Sequence, residues 1–270
     1  MNRRLMRLGR ISFLHNKPTF FGLQREKSSN LEIVSDTPRI LLQKLLDDQL
    51  DVAPIAAVNL LAYSDRLRIV PAMCLHSMGA SGSTVVVRLK NAEIPTNPRI
   101  AVTALTDTTQ FMLRRILSWE GIKASFETMD AKTPAAMLTR CDLALVIGDT
   151  GLCARFDKEL EVVFDVGESW TRHVNLPAVF AVSSTTTKAL KERPDAVKES
   201  VSILAKAVAN RSINEAAVAE SEAVRLGLSI TSIKEYFRQL SLDYTENARR
   251  GLRRLLEELS PGSSAKVRNL

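Results

Sequence analysis

Apolar and polar positions come in short alternating blocks along this chain. "LEIV", "DVAPI", "TVVV", "RIAV", "LALVI" and "AVFAV" are compact apolar runs with β-branched character, and each reads as a strand. Between them the apolar positions take helical spacing, as over residues 38–46 and 107–118. In the second of these Met112, Leu113, Ile116 and Leu117 form one stripe that must lie on a sheet. Strand and helix in regular alternation predict β-α-β units and a mostly parallel sheet. "ISFL", residues 11–14, reads as a further strand running into His15-Asn16-Lys17. Thr37-Pro38 and Thr133-Pro134 each place a capping hydroxyl before a proline at the first helical position. From Lys188 the pattern turns helical, with Val197, Val201, Leu204, Ala205 and Val208 on one face. Later helices are predicted over roughly 214–226, 231–240 and 245–259, and the tail "SPGSSAKVRNL" reads as a disordered end.

A loose internal echo organises these elements. "GRISFLHNKPTFFGL" is followed by "SDTPRILLQKLLDDQLDVAPIA", and "PRIAVTALTDTTQFMLRRIL" by "DAKTPAAMLTRCDLALVIGD". Each half runs Arg-Ile strand, polar loop, helix, Thr-Pro helix, acidic residue, apolar strand and small-residue turn. The expectation is two pseudosymmetric lobes, each with its own sheet. "HNK" and "TDTT" then fall at equivalent carboxyl ends of strands, where open α/β sheets bind ligands.

Composition narrows the function. The 270 residues are 45% hydrophobic and 25% charged, an ordinary globular balance. No apolar run approaches the ~20 residues of a bilayer span, and "ISFL" is too short for a secretory core after the basic "MNRRLMRLGR", so a cytoplasmic location is expected, with no membrane partner. Cys74, Cys141 and Cys153 lack paired spacing and read as buried reduced thiols; they and His15, His76 and His173 are too scattered for a zinc site. The net charge of +7 raises nucleic acid as a partner, but aromatics are only 5% and no basic run carries stacking residues. Arg249, Arg250, Arg253 and Arg254 stand at helical spacing beside Glu257 and Glu258, the pattern of a solvated face. A small anionic ligand is the more economical use of the positive excess.

Four loops carry candidate chemistry. His15-Asn16-Lys17 is either a polar turn entering a helix or a ligand-facing set. "GASGS", residues 79–83, is either a flexible crossover or a place where backbone N–H groups approach a ligand beside Ser81 and Ser83. "TDTT" puts Thr106, Thr108 and Thr109 at a helix N-terminus, which serves a carboxylate or a simple cap. Asp149 in "VIGDTGL" reads first as a cap and second as a group ordering a cleft. There is no phosphate loop, dinucleotide fingerprint, catalytic triad order or carboxylate pair. Spacing alone therefore reaches a two-lobed α/β protein with a site for a small anion.

"RISFLHNKPTFFGL", "DTPRILLQKLLDDQLDVAPI", "LVIGDTGL" and "DVGESW" with "NLPAVFAV" resemble, in order, the chorismate dehydratases of the futalosine route to menaquinone. The resemblance runs from about Arg10 to Leu259. It implies an α/β, two-lobed type 2 periplasmic-binding-protein-like fold with an interlobe cleft, working in the cytoplasm without cofactor or metal. It places residues 1–85 and 185–270 in the first lobe, which takes the C-terminal helices, and 86–184 in the second, with crossings near 84–90 and 180–188. The implied activity is a lyase that converts chorismate to 3-[(1-carboxyvinyl)oxy]benzoate. A proton leaves the ring carbon bearing the ether, hydroxide leaves its neighbour, and aromatisation drives the step. His15 and Asn16 are the implied catalytic pair, with Ser81, Ser83, Thr106, Thr108, Thr109 and Asp149 around a dicarboxylate.

This chain departs from the family pattern at several points. His15 stands where the family usually has asparagine, with Asn16 one place later. Ala56 replaces a serine or threonine, Ala178 a phenylalanine, and Met78-Gly79 an Asp-Gly. A histidine near its ordinary pKa of ~6.5 is a competent base, so proton transfer survives the first change. The alternative is a non-catalytic binding or sensing protein for a small carboxylate on the same fold. A dihydroxynaphthoate synthase ranks low, because its first-loop pattern, similar to "SPCPNDTF", is absent. Oligomeric state is not encoded legibly.

Overall fold

In the computed structural model, residues 5–25, 30–131, 133–262 and 267 are described. β1 (Met6–Ile11) leads through a 3-10 turn (Leu14–Asn16) into α1 (Lys17–Arg25), followed by β2 (Leu31–Asp36), α2 (Pro38–Leu46), β3 (Ala53–Ala56), α3 (Asn59–Ala62) and β4 (Leu67–Ser77). The middle of the chain forms β5 (Val85–Leu89), β6 (Arg99–Val102), α4 (Asp107–Trp119), β7 (Ser125–Thr128) and α5 (Pro134–Leu138). It continues with β8 (Leu143–Val146), α6 (Gly148–Ala154), β9 (Leu160–Asp165) and α7 (Val166–Val174). β10 (Ala178–Thr186), α8 (Thr187–Glu192), α9 (Pro194–Ala209), α10 (Arg211–Leu226), α11 (Ile230–Gln239) and α12 (Glu246–Leu259) complete it.

Contacts divide the chain into two units. Unit 1 holds Met1–His76, Val179–Ala219 and Ser241–Leu270; unit 2 holds Ser77–Ala178 and Glu220–Leu240. The divisions fall at 76/77 and 178/179 where the resemblance implies crossings near 84–90 and 180–188. Residues 220–240 group with unit 2 rather than with the other C-terminal helices. Three contacts within unit 2 explain this: Tyr236 donates to Ser83 Oγ (3.0 Å), the Cys153 thiol to the Leu226 carbonyl (3.7 Å), and Arg225 pairs with Asp149 (2.7 Å).

The echo is present in the topology of each unit. Unit 2 has one sheet ordered β7-β6-β8-β5-β9, with β6 parallel to β7 and β8, and β5 antiparallel to its neighbours. Unit 1 has β1 parallel to β2 and a sheet ordered β3-β10-β4, connected by a parallel bridge from Leu8 to Val52. The succession β2-β1-β3-β10-β4 therefore matches the unit 2 order strand for strand. The acidic residue of the echo has the same task in both. Asp51 accepts the Arg7 amide (2.8 Å) and returns its own N–H to the Arg7 carbonyl (2.8 Å). Asp142 does likewise with Arg99, at 2.7 and 3.0 Å. Arg7, not Arg10, is thus the counterpart of Arg99. Counting forward equally, His15-Asn16-Lys17 corresponds to Asp107-Thr108-Thr109.

Local corrections follow from these bonds. The first strand ends at Ile11, and "MRLGR", the second half of the basic N-terminal stretch, is most of β1 itself. Ser12 donates to the Asp36 carbonyl as the ladder stops, and the backbone then coils into the 3-10 turn. Gly9 is required at its place: a Cβ there would sit 2.4 Å from Ala53 Cβ, where β1 and β3 close together. Thr133 caps α5 as predicted, whereas Thr37 makes no side-chain cap on α2. Met112, Leu113, Ile116 and Leu117 are buried, as the stripe predicts. Arg249 and Arg253 pair with Glu246, and Arg254 with Glu258, on an exposed face. Cys74 and Cys141 are buried and Cys153 half-buried, all as free thiols. Among the described residues no helix is long and apolar enough to cross a membrane. Most of the tail expected to be disordered lies outside the described residues.

Asp51 is fully buried and also binds the guanidinium groups of Arg7 (3.0 Å) and Arg193 (3.1 Å). Asp51→Ala is expected to lower the unfolding free energy by about 3–5 kcal/mol, because two cations lose their partner. Asp142→Ala, which removes mainly one backbone bond, is expected to cost about 1 kcal/mol. Urea denaturation of the two variants checks this, and equal losses would remove Asp51 as the anchor of unit 1.

Candidate functional site

In unit 1 the candidate site is the 3-10 turn that links β1 to α1. Its tight backbone, closed by the Asn16 amide on the Phe13 carbonyl (3.2 Å), turns His15 and Asn16 inward. His15 is 4% exposed and Asn16 fully buried. Neither ring nitrogen of His15 has a hydrogen-bond partner among the described residues, and the same holds for Asn16 Oδ1. Asn16 Nδ2 makes one long bond, 3.4 Å, to the Ile11 carbonyl. Buried polar atoms in this state cost about 1–3 kcal/mol each, so their retention points to a ligand that completes them.

The electrostatics of His15 differ from the sequence expectation. Burial, then the positive charges of Arg211 and Arg10, push its pKa down to about 3, far from the ordinary value near 6.5. The ring is neutral at physiological pH and reluctant to take up a proton. Arg10 also lies over the Phe20 ring, 5.9 Å from its centroid. Sequence reading missed Arg10 and Arg211. The first stands in the resemblance segment itself, while the second, near the start of α10, carries no local signal. An imidazole flanked by two guanidinium groups suits an anion, whose charge would offset theirs and restore proton affinity.

In unit 2 the glycine loop is occupied by protein. Asp165 accepts the amides of Ser81 (2.9 Å) and Gly82 (2.8 Å), and caps α7 through Gly167 (2.9 Å) and Glu168 (3.2 Å). Gly79 and Gly82 have φ of 109° and 70°, the left-handed backbone that lets the loop wrap this carboxylate. The Ser81 hydroxyl bonds Thr84 Oγ1 and the Asp165 carboxylate. The "GASGS" amides of Ser81 and Gly82 are therefore structural, and Asp165, which sequence reading did not single out, organises them. Ser83 is different. Its buried oxygen accepts from Tyr236, which leaves the Ser83 proton to be donated elsewhere. Tyr236 has no motif signal, because it sits on α11, which the sequence assigns to the other lobe.

The remaining candidates separate. Thr106 precedes α4 but makes no side-chain cap; its hydroxyl donates to the Thr103 carbonyl at 2.7 Å. Thr108 and Thr109 are buried in the first turn of α4. Asp149 lies inside the first turn of α6, and its carboxylate pairs with Arg225. His15 and Asn16 are thus brought together in unit 1, and in unit 2 Ser83, Thr108 and Thr109 are buried. Cysteine nucleophiles are disfavoured: burial pushes Cys74 up to about 12 and also raises Cys141 and Cys153. Among the described residues no cluster of side chains is arranged to hold a metal.

A family model described as menaquinone biosynthesis matches residues 6–260. Protein AF1704 from Archaeoglobus fulgidus is similar in structure, with a TM-score of 0.76 and 21% identity over 96% of this chain and 97% of that one. The Candida albicans CA3427 gene product, described as having the generic periplasmic binding protein fold, gives 0.70 at 12% identity over 98% and 97% of the two chains. The periplasmic aliphatic sulphonate binding protein SsuA from Escherichia coli gives 0.67 at 14% identity over 95% and 86%. The fold is therefore of the periplasmic-binding-protein type.

The neutral state of His15 has a measurable consequence. Its folded pKa lies below its unfolded one, so the unfolded chain binds the extra proton between pH ~6.5 and ~3. The contribution is intact above pH 6.5 and is lost on acidification, at ~1.4 kcal/mol per pH unit. Urea unfolding at pH 7 and pH 5 is expected to show wild type losing ~2 kcal/mol more than His15→Gln. Equal pH dependence in the two would mean that His15 titrates normally.

Proposed function

This chain belongs to the menaquinone-biosynthesis family, and we propose that it is a cytoplasmic lyase that dehydrates chorismate to 3-[(1-carboxyvinyl)oxy]benzoate. The reaction breaks the C–H bond at the ring carbon bearing the enolpyruvyl ether. The freed electron pair becomes part of the aromatic ring, and the neighbouring C–O bond breaks to release water. Formation of the aromatic ring supplies the driving force, so the protein needs only to hold two carboxylates, accept one proton and attend the departing hydroxyl.

The observation that carries the reading is the buried, unpartnered His15-Asn16 pair inside a chain matched over 6–260 by that family. An imidazole held neutral is suited to donating a hydrogen bond to a departing oxygen, as neutral histidines do in other sites. Asn16, whose Oδ1 also lacks a partner among the described residues, is assigned a supporting hydrogen bond to the substrate. Arg10 and Arg211 supply positive charge for one carboxylate. In unit 2, Ser83 and the start of α4 are proposed as a carboxylate-binding group in their own right.

Purified protein incubated with chorismate is expected to form the aromatic enol ether, followed by chromatography. His15→Gln is expected to lower kcat by about 10²–10⁴ with the fold intact by circular dichroism. Absence of turnover, with tight calorimetric binding of another small carboxylate, would replace the lyase by a binding protein on the same fold.

A further inference from the structure

One buried hydroxyl on α1 takes no part in the chemistry above. Thr19 is 1% exposed, and its Oγ1 has no hydrogen-bond partner among the described residues. A helical threonine ordinarily returns its hydroxyl to a carbonyl one turn back, and this one does not. Thr19 lines a cavity of about 450 Å³ built within unit 1. α1 contributes one stripe to it, Thr19, Gly22 and Leu23, at i, i+3 and i+4. α9 contributes a second, Ile203, Lys206 and Ala207, which continues to Asn210 at the end of that helix. Ile213 and Asn214, from the first turn of α10, complete the lining. Asn214 Nδ2 also donates to the Pro18 carbonyl (3.0 Å), which ties α10 to α1 and holds the walls in place.

We propose that this cavity is a binding site for a small amphipathic anion, a carboxylate with an apolar body. Neither His15 nor Asn16 lines it, so it is a second site, and it does not depend on the lyase reading. The lining sets the class of ligand. Leu23, Ile203, Ala207 and Ile213 take a hydrocarbon body, and Ile213, 76% exposed, gains most from being covered. No aspartate or glutamate lines the cavity, whereas Lys206 does, so the electrostatic complement is an anion. Thr19 adds a hydroxyl with an uncommitted proton, and Asn210 adds an amide. Inorganic phosphate would leave the apolar walls uncovered, and a plain hydrocarbon would leave Thr19 unpaired. The volume falls among those of pockets that hold small organic molecules.

The fold does not call for these residues on its own account. α9 is held by its buried face, on which Val197, Leu204 and Val208 stand. Ile203 and Ala207 lie beside that face and stay partly exposed, so their apolar surface is available to a ligand. At position 19 a valine would fill the same space without an unpaired hydroxyl, which costs stability until a partner arrives. Sequence reading found the core stripe of α9 but not this flank. Its three-residue counterpart on α1 is too short to stand out, and only packing brings the two stripes to one cavity.

Calorimetric titration with 4-phenylbutyrate as the probe, alongside amide NMR spectra, tests the site in wild type, Ala207→Phe, Lys206→Met and Thr19→Val. Wild type is expected to bind saturably, with amide shifts centred on Thr19, Leu23, Lys206 and Ile213. Ala207→Phe, which puts a ring into the cavity, is expected to abolish binding. Lys206→Met, at an exposed position that leaves the fold undisturbed, is expected to weaken it about three- to tenfold, as is replacing the acid by 4-phenylbutanamide. Thr19→Val is expected to weaken binding by a similar factor while raising the thermal midpoint of the ligand-free protein, whereas a threonine that only supports the fold would lower that midpoint. No saturable binding, or equal affinity for acid and amide, overturns the proposal. Binding that both Ala207→Phe and Lys206→Met leave intact places the probe elsewhere and overturns it too. Unchanged affinity in Thr19→Val removes Thr19 as a ligand group.

Discussion

Parallel strands have no tight turn to set their register, so something else must align them. In this protein a carboxylate does it. Asp51, one residue short of the bridge to β1, clasps both backbone groups of Arg7, and Asp142 repeats the clasp on Arg99. Once those two residues are paired, the carboxyl end of the central strand in each unit is placed. The turn containing His15 and the start of α4 then follow at equal chain distance. The chemistry of either loop depends on that alignment, because a slip of one residue would turn buried side chains outward.

A second theme is the contrast between polar groups that the fold consumes and those it leaves. Asp165 takes up the amides of Ser81 and Gly82 and those that open α7, so a loop resembling an anion cradle is closed by the protein's own anion. Asp149 is likewise committed to Arg225, and the Thr106 hydroxyl to Thr103. Among the buried atoms left without a partner in the described residues are both ring nitrogens of His15 and Asn16 Oδ1, which stand side by side in one turn. A protein that satisfies most of its buried groups and leaves these has retained a cost that ligand binding can relieve.

Much of the architecture was legible beforehand. The strand runs at 31–34, 99–102 and 143–147, the helices at 38–46 and 107–118, and the repeated order of elements all have local signatures, because apolar periodicity is written residue by residue. The repeat even pointed to the acidic residue that sets the register, though three residues out of phase, since "Arg-Ile" occurs at the end of β1 and at the start of β6. Caps were less legible. Thr37 and Thr133 precede proline alike, yet only Thr133 bonds the helix, because Asp36 bonds the Thr37 amide and the threonine hydroxyl makes no cap. Asp149 looked like a cap until Arg225, far along the chain, claimed it.

By itself the sequence determined the alternation of strands and helices, the two-fold repetition, the family, and the short list on which His15, Asn16 and Ser83 appeared. Only the tertiary structure decided which of those groups are spent and what proton affinity the others have. It joined 220–240 to unit 2, set Tyr236 on Ser83, brought Arg211 to bear on His15, and tied His76 to a carbonyl. The reason is range. Periodicity is a property of neighbours along the chain, whereas desolvation and charge act through space and come from residues that the sequence keeps apart.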